Sequence, residues 1–262
     1  MKRIEILCFV IVLMSVGFQI SAAVLPGALG EIEDGNTTIQ GINGYLVIPS
    51  AEPAWGGNDL TITTGYSVSF SGSLNHLPYV QVGFNHDFEA GLASELSNNS
   101  IDLLLNGKWR FNRSGDRSLA AGVNGQFLDI TSSMDWAVQL YFASTFKSTF
   151  IDWPAKTTIL VGYTLDGSPD TDIDFGLGFQ VPFMEDFFSG KVDFLLDYGN
   201  VSYSAQPKSA DASHRGMLNI GFRLLPVKLA KGMYLSADLR GLDLFDGADR
   251  AASLGLGISY QP

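Results

Sequence analysis

The chain is poor in cysteine, histidine and charge. Cys8 is the only cysteine among 262 residues, there are three histidines, and only 16% of the residues are charged. A single cysteine excludes a disulfide framework and a metal site built from several cysteines. The 16 basic residues are outnumbered by 27 acidic ones, which gives a formal net charge of −11. Because an acidic chain repels nucleic acid, we exclude DNA and RNA as partners.

Long apolar runs are also scarce. The one at residues 6–18 follows Lys2 and Arg3 and leads into Ser-Ala-Ala at 21–23. A basic start, a short apolar run and small residues are the pattern of a secretory signal peptide. The run is shorter than the ~18 residues that a transmembrane helix needs. We therefore predict that residues 1–23 are a signal peptide and that Cys8 is removed with it.

The rest of the chain has a two-residue rhythm. Residues 171–181 read Thr-Asp-Ile-Asp-Phe-Gly-Leu-Gly-Phe-Gln-Val, with apolar side chains at alternate positions. Successive side chains of a β-strand point to opposite faces, so such a segment has one apolar and one polar face. From residue 59 onward the pattern recurs about a dozen times, in segments of roughly nine to twelve residues. That is the length of a tilted strand that crosses a bilayer.

These segments predict an all-β fold, a transmembrane antiparallel β-barrel of about twelve strands (about ten to fourteen) over residues 59–262. The sheet has to close, because an open edge in lipid would leave backbone groups unpaired. An even strand count puts both chain ends in the periplasm, and we expect the longer connections, at 166–171 and 205–213, outside the cell. The soluble alternative is a periplasmic or secreted β-sandwich, but soluble sheets favour strands of about five or six residues.

Residues 24–58 differ from the barrel segments. They contain a polar stretch, Gly-Glu-Ile-Glu-Asp-Gly-Asn at 30–36, that is rich in turn-forming residues. Residues 42–51 then look extended and reach a proline at Pro49. We predict a periplasmic or lumenal segment here, in which 42–51 is a short strand or is folded into the mouth of the barrel.

Charged residues of both signs alternate with the apolar ones. A lysine or arginine that faces lipid at mid-bilayer costs about 2–4 kcal/mol, so we predict that these side chains face the lumen. The candidates are Asp102, Lys108, Arg110, Lys147, Asp174, Lys191, Asp193, Asp197, Arg223, Asp238 and Arg240, with Asp172 on the same face. They could line a water-filled path, or pair across a filled lumen. Both interpretations stay open, because twelve strands lie between barrels of about eight, which side chains fill, and the open 16-strand porins.

No metal or cofactor site is expected. Asp170, Asp172 and Asp174 have the spacing with which a calcium loop opens. That loop needs glycine at its sixth position and glutamate at its twelfth, where this chain has Phe175 and Val181. Strand positions on the polar face explain Asp172 and Asp174 better.

Catalytic motifs are missing as well. His76, His86 and His214 all lie at or near predicted turns, and the sequence has no Gly-x-Ser-x-Gly and no His-Glu-x-x-His. We therefore expect no enzyme. An outer-membrane hydrolase, the minority alternative, would need one of these histidines beside a carboxylate and a serine.

Several short stretches resemble a known family. Gly-Tyr-Leu-Val-Ile-Pro-Ser-Ala at 44–51 resembles the Gly-Leu-x-x-x-Pro-x-Ala opening of the YjbH/GfcD-like outer-membrane barrels, which are linked to exopolysaccharide or capsule secretion. Residues 77–84 resemble a strand of the same family, and so do 108–111 followed by 119–122. The likeness covers about residues 41–125. It implies a barrel that assists glycan export, and no catalytic residue.

The sequence thus predicts a monomeric barrel in the outer membrane. It would be either a narrow pore or an accessory to exopolysaccharide export. The alternative is a closed structural or adhesive barrel whose outer loops bind partners. The expected partners are outer-membrane lipid, the barrel-assembly machinery and, on the strength of the resemblance, envelope polysaccharide.

Overall fold

The computed structural model describes residues 37–55, 59–70, 73–97, 100–132, 134–166, 173–199, 218–245 and 250–262. The predicted signal peptide lies outside these residues, and so do Asp170, Asp172 and His214. No helix in the described ranges is long and apolar enough to cross a membrane.

Twelve antiparallel strands form one closed barrel, which confirms the predicted fold. They are β1 Leu60–Phe70, β2 Leu74–Phe84, β3 Phe88–Leu96, β4 Ile101–Ser114, β5 Arg117–Leu128, β6 Asp135–Phe150, β7 Trp153–Asp166, β8 Asp174–Pro182, β9 Val192–Gly199, β10 Leu218–Ala230, β11 Met233–Leu242 and β12 Ala251–Tyr260. A single-turn helix, α1 at Glu185–Phe188, lies between β8 and β9. Each strand pairs with its sequence neighbours, and β1 pairs with β12 to close the ring.

The two ends of the barrel differ in their connections. We call the end at which β1 begins and β12 ends the near rim; its connections are residues 85–87, 115–116, 151–152, 183–191 and 231–232. The opposite end, the far rim, has connections 71–73, 97–100, 129–134, 167–173, 200–217 and 243–250. The two connections predicted to be long both belong to the far rim. Short turns on the side of the chain termini and longer loops opposite are the pattern of outer-membrane barrels.

The apolar row of each strand points out of the barrel. On β12, Leu254 and Leu256 are each 52% exposed, whereas Ser253 and Ser259 are each 1% exposed. The same alternation follows β1 through β4 and β8. The barrel therefore has an apolar outer surface and a mostly polar inner one, in which Leu77, Leu160 and Leu195 are the fully buried apolar exceptions among the larger wall residues of β2, β7 and β9.

Segment boundaries deviate from the sequence prediction. Strand length runs from 8 residues in β9 to 16 in β6, a wider range than the one predicted. β6 and β7 are joined by a tight turn in which Ile151 and Asp152 both have left-handed backbone angles, φ 48° and 69°. Two such residues match the twist of a hairpin, so the strands can pair up to the turn.

Candidate functional site: a plug in the barrel lumen

Residues 37–55, which we call the plug, lie inside the barrel. Every residue of this segment is buried; its apolar side chains include Ile42, Tyr45 and Leu46, each fully shielded from solvent. The plug forms no strand, in contrast to one of the two predictions for 42–51. It has only two isolated bridges, Thr37 to Asn43 and Gly44 to Pro49.

A tight loop at 44–49 forms one end of the plug. Gly44 pairs with Pro49, and a Cβ at position 44 would collide with the Ile48 carbonyl and with Pro49. The loop directs three successive backbone N–H groups, those of residues 46, 47 and 48, at one carboxylate oxygen of Asp197 on β9. The N···O distances are 3.1, 2.5 and 3.0 Å. Such a concave run of N–H groups is an anion-binding nest, and here the wall supplies the anion.

An arginine pair on β10 and β11 holds the plug's carbonyl groups. Arg223 donates to the carbonyl oxygens of Gly44 at 2.7 Å, Tyr45 at 2.8 Å and Thr37 at 3.0 Å. Arg240 also donates to Thr37, at 3.3 Å. Asp238 lies between the two guanidinium groups, 2.5 Å from one and 2.9 Å from the other.

Lys108 and Glu89 form a second clamp on β4 and β3. Lys108 donates to the carbonyl oxygens of Asn43 at 3.0 Å and Glu52 at 2.8 Å, and lies 3.3 Å from the Glu89 carboxylate. Glu89 accepts the backbone N–H of Asn43 and, at 2.9 Å, that of Ala54. Both charged side chains are fully buried, so each neutralises the other while it binds the plug.

Further contacts come from β6 and β7. Thr145 accepts the backbone N–H of Ala51 at 2.7 Å, and Thr158 bonds to the Tyr45 hydroxyl at 2.9 Å. The Lys156 ammonium lies 5.2 Å from the centre of the Tyr45 ring, a cation–π distance. Wall residues on opposite sides of the barrel thus hold the same segment, which places the plug across the lumen.

Two wall glycines give the plug room. An added Cβ at Gly178 would overlap the Tyr45 ring, and one at Gly221 would come 2.6 Å from the Leu46 side chain. Only a residue without a Cβ lets these two plug side chains lie so close to the wall. Gly178 of β8 and Gly221 of β10 therefore leave the space that Tyr45 and Leu46 of the plug occupy.

Ten of the eleven predicted lumen residues divide into three groups. Lys108, Asp197, Arg223, Asp238 and Arg240 belong to the plug clamps described above. Lys147 is partly exposed and lies 3.4 Å from the carboxylate of Glu52 on the plug. Asp102, Arg110, Asp174 and Asp193 are buried and bond to the barrel itself: to the N–H of Asp129, to Asp87, to Gln139 and to Gln180.

Lys191 differs from the other ten candidates. It is exposed and precedes β9, in the connection from α1. The alternation of apolar and polar residues places Lys191 on the inward row, but that row starts only with β9, at Val192. Conversely, Glu89 and Lys156 were not singled out from the sequence. Each occupies an inward position of a strand, at 2% and 0% exposure, so strict alternation around Phe88 and Ile159 would have identified them.

The described histidines lie apart from the plug. His76 contacts the Tyr66 hydroxyl on the outer surface, and His86 lies 2.9 Å from Asp59 at the near rim, where both side chains are exposed. Within the described ranges no group of three or more His, Cys, Asp or Glu residues could hold a metal ion.

Comparison with known proteins finds likeness in structure only. No protein-family model matches the chain, and no curated protein matches its sequence. Membership of the YjbH/GfcD-like family therefore stays a prediction.

Among solved structures, the chain is similar to the KdgM porin, with a TM-score of 0.49, 9% identity and coverage of 76% of this chain and 99% of that one. It is similar to the NanC porin, with a TM-score of 0.47, 17% identity and coverage of 78% and 100%. It is also similar to Omp33 of Acinetobacter baumannii, with a TM-score of 0.45, 8% identity and coverage of 78% and 98%.

Proposed function

We propose that the protein is an outer-membrane channel whose lumen is closed by its own residues 37–55. The membrane assignment is supported by the outward row of exposed apolar side chains, such as Leu140 at 52% and Phe142 at 59%. A continuous apolar surface of this kind fits lipid and would be a severe aggregation hazard in water. Four of the five near-rim connections are turns of two or three residues, and these support a periplasmic near rim.

One observation carries the channel assignment: the plug is bonded to the wall through wall side chains rather than through the sheet. The backbone–backbone bonds of the plug run within it, for example from Ile39 to Leu46 and from Ser50 to Asn43. The barrel's ladder closes without it, through β1 and β12. The plug can therefore leave while every inter-strand hydrogen bond stays intact.

The polar wall supports the same function. Once the plug had left, Asp197, Arg223 and Lys108 would face the lumen, where water can solvate them. A barrel whose only task is structural would be filled more stably by apolar side chains of its own wall, because buried ion pairs contribute little net stability.

Conductance in planar bilayers tests the proposal. We expect small or rare openings from the intact protein and a steady ohmic current after deletion of residues 37–55. Insertion is verified by heat-dependent migration on a gel. A deletion variant that inserts but stays silent would refute the channel, and would favour the closed structural barrel with partner-binding loops.

The finer assignment, assistance to exopolysaccharide export, rests on the resemblance of residues 41–125. The stretch that carries its main motif, 44–51, is the plug loop that binds Asp197. If the role is correct, a plug-docking variant such as Asp197→Ala will change the amount of surface polysaccharide, whereas Asp102→Ala will not. Equal polysaccharide in both strains and in a strain without the protein would remove this role.

A further inference from the structure

A corner of the near rim combines exposed lysines with exposed apolar side chains. It consists of residues 184–191, which include α1, and residues 225–233, the tip of the β10–β11 hairpin; we call this surface the foot. The Leu225 N–H donates to the Lys191 carbonyl at 2.8 Å, which joins its two parts. β9 pairs with β10 only as far as Leu224 and Val192, so the hairpin tip extends past its neighbour.

The foot has several exposed apolar side chains. Phe187 is 79% exposed, Met184 58% and Leu229 54%. They continue the outer face of the barrel through a chain of ring contacts. Phe187 touches Phe188 at 4.8 Å between centroids, Phe188 stacks on Phe183 at 5.9 Å, and Phe183 meets Phe222 on the outer face of β10 at 4.7 Å. α1 is thus tied to the lipid-facing side of the wall.

The foot also carries exposed basic side chains. Six lysines lie in the described ranges, and the three that are exposed, Lys191, Lys228 and Lys231, are all in the foot. Glu185 and Asp186 open α1, so the foot carries three positive and two negative residues in a chain of net charge −11. Basic side chains beside exposed aromatic ones are the composition of a surface that lies in a membrane interface.

We propose that the foot sits in the periplasmic leaflet and binds the anionic headgroups of phospholipids. This inference rests on the proposed membrane function, since the near rim has to meet the periplasmic leaflet. The apolar side chains enter the acyl boundary in continuity with the barrel surface, and the lysines reach the phosphate groups. The foot would thereby fix the depth of the β8–β11 sector in the membrane.

A single-cysteine probe tests the location of Phe187. In a Cys8→Ser background, Phe187→Cys is labelled with an environment-sensitive dye and reconstituted into vesicles that contain brominated lipid. We expect quenching comparable with that of a matched probe at Leu140→Cys on the barrel belt, and none at Phe245→Cys in the far-rim connection. Quenching at Leu140 but not at Phe187 would overturn this inference alone; no quenching at either would overturn the membrane assignment itself.

The lysines are tested by lipid preference. Native protein in vesicles of phosphatidylcholine with spin-labelled phosphatidylglycerol is expected to retain the anionic label preferentially. A triple change, Lys191→Gln, Lys228→Gln and Lys231→Gln, should lower that preference at least about fivefold, the contribution of one lysine at an anionic surface. Arg250→Gln, an exposed charge at the far rim, is the matched control and should leave the preference unchanged. Equal preference in the triple variant would overturn the headgroup assignment.

Discussion

Asp197 offers the sharpest test of how the plug is held. Its carboxylate is fully buried and accepts the N–H groups of residues 46, 47 and 48. Replacement by alanine leaves three buried donors in the plug loop without their acceptor. Each buried donor left without a partner costs about 1–3 kcal/mol, so the loss of all three bonds costs about 3–5 kcal/mol or more. A free energy of about 1.4 kcal/mol corresponds to a factor of ten in an equilibrium constant. The population of undocked plug should therefore increase by a factor of between about one hundred and a few thousand.

Cysteine labelling can measure that rise directly. Val47 is 1% exposed, so a Val47→Cys side chain in a Cys8→Ser background reacts with a membrane-impermeant maleimide only when the plug undocks. When docking is fast relative to labelling, the rate reports the undocked fraction. We expect Asp197→Ala to accelerate labelling by about two to three orders of magnitude or more. Asp197→Asn should fall in between, since its amide oxygen can still accept.

Asp102→Ala is the matched control for this experiment. Asp102 is another buried lumenal carboxylate, but it accepts the N–H of Asp129, which belongs to the barrel's own loop. Its loss should therefore leave plug labelling unchanged. If Asp102→Ala accelerated labelling as much as Asp197→Ala, or if neither did, the nest would not be what holds the plug.

Three further outcomes are expected. Gly178→Ala puts a methyl group into the Tyr45 ring and should accelerate labelling about 5- to 150-fold, given an overpacking cost of about 1–3 kcal/mol. In a Tyr45→Ala background, where the ring is absent, the same change should cause no further acceleration; an equal acceleration there would show that the glycine does not seat this ring. Lys108→Met leaves the buried Glu89 carboxylate without its ion-pair partner. It should lower the midpoint temperature of heat-dependent gel migration, whereas Lys228→Met should not. Ile151→Asn relieves a β-branched residue at φ 48° and should raise the free energy of unfolding in urea by about 1 kcal/mol; a decrease would mean that the turn is not strained.

Alternation along the chain was sufficient for the architecture. Strands that cross a membrane must expose one apolar row and pair all their backbone groups, so period, segment length and strand number follow from local pattern. The inward row was also recoverable, since Asp197, Arg223 and Asp238 occupy regular positions within it. The pattern failed at strand ends. Lys191 has inward parity but lies outside β9, because parity has meaning only where the chain is extended.

The sequence by itself therefore determined the closed barrel, its outer apolar face and the charged inner face, since each depends on neighbours along one strand. Tertiary structure alone decided what those charges bind. Arg223 and Thr37 are far apart in sequence yet bonded, and no periodicity relates the irregular plug to the wall. The plug satisfies its polar groups with side chains from many strands, so its position depends on the closed shape of the whole barrel rather than on any local pattern.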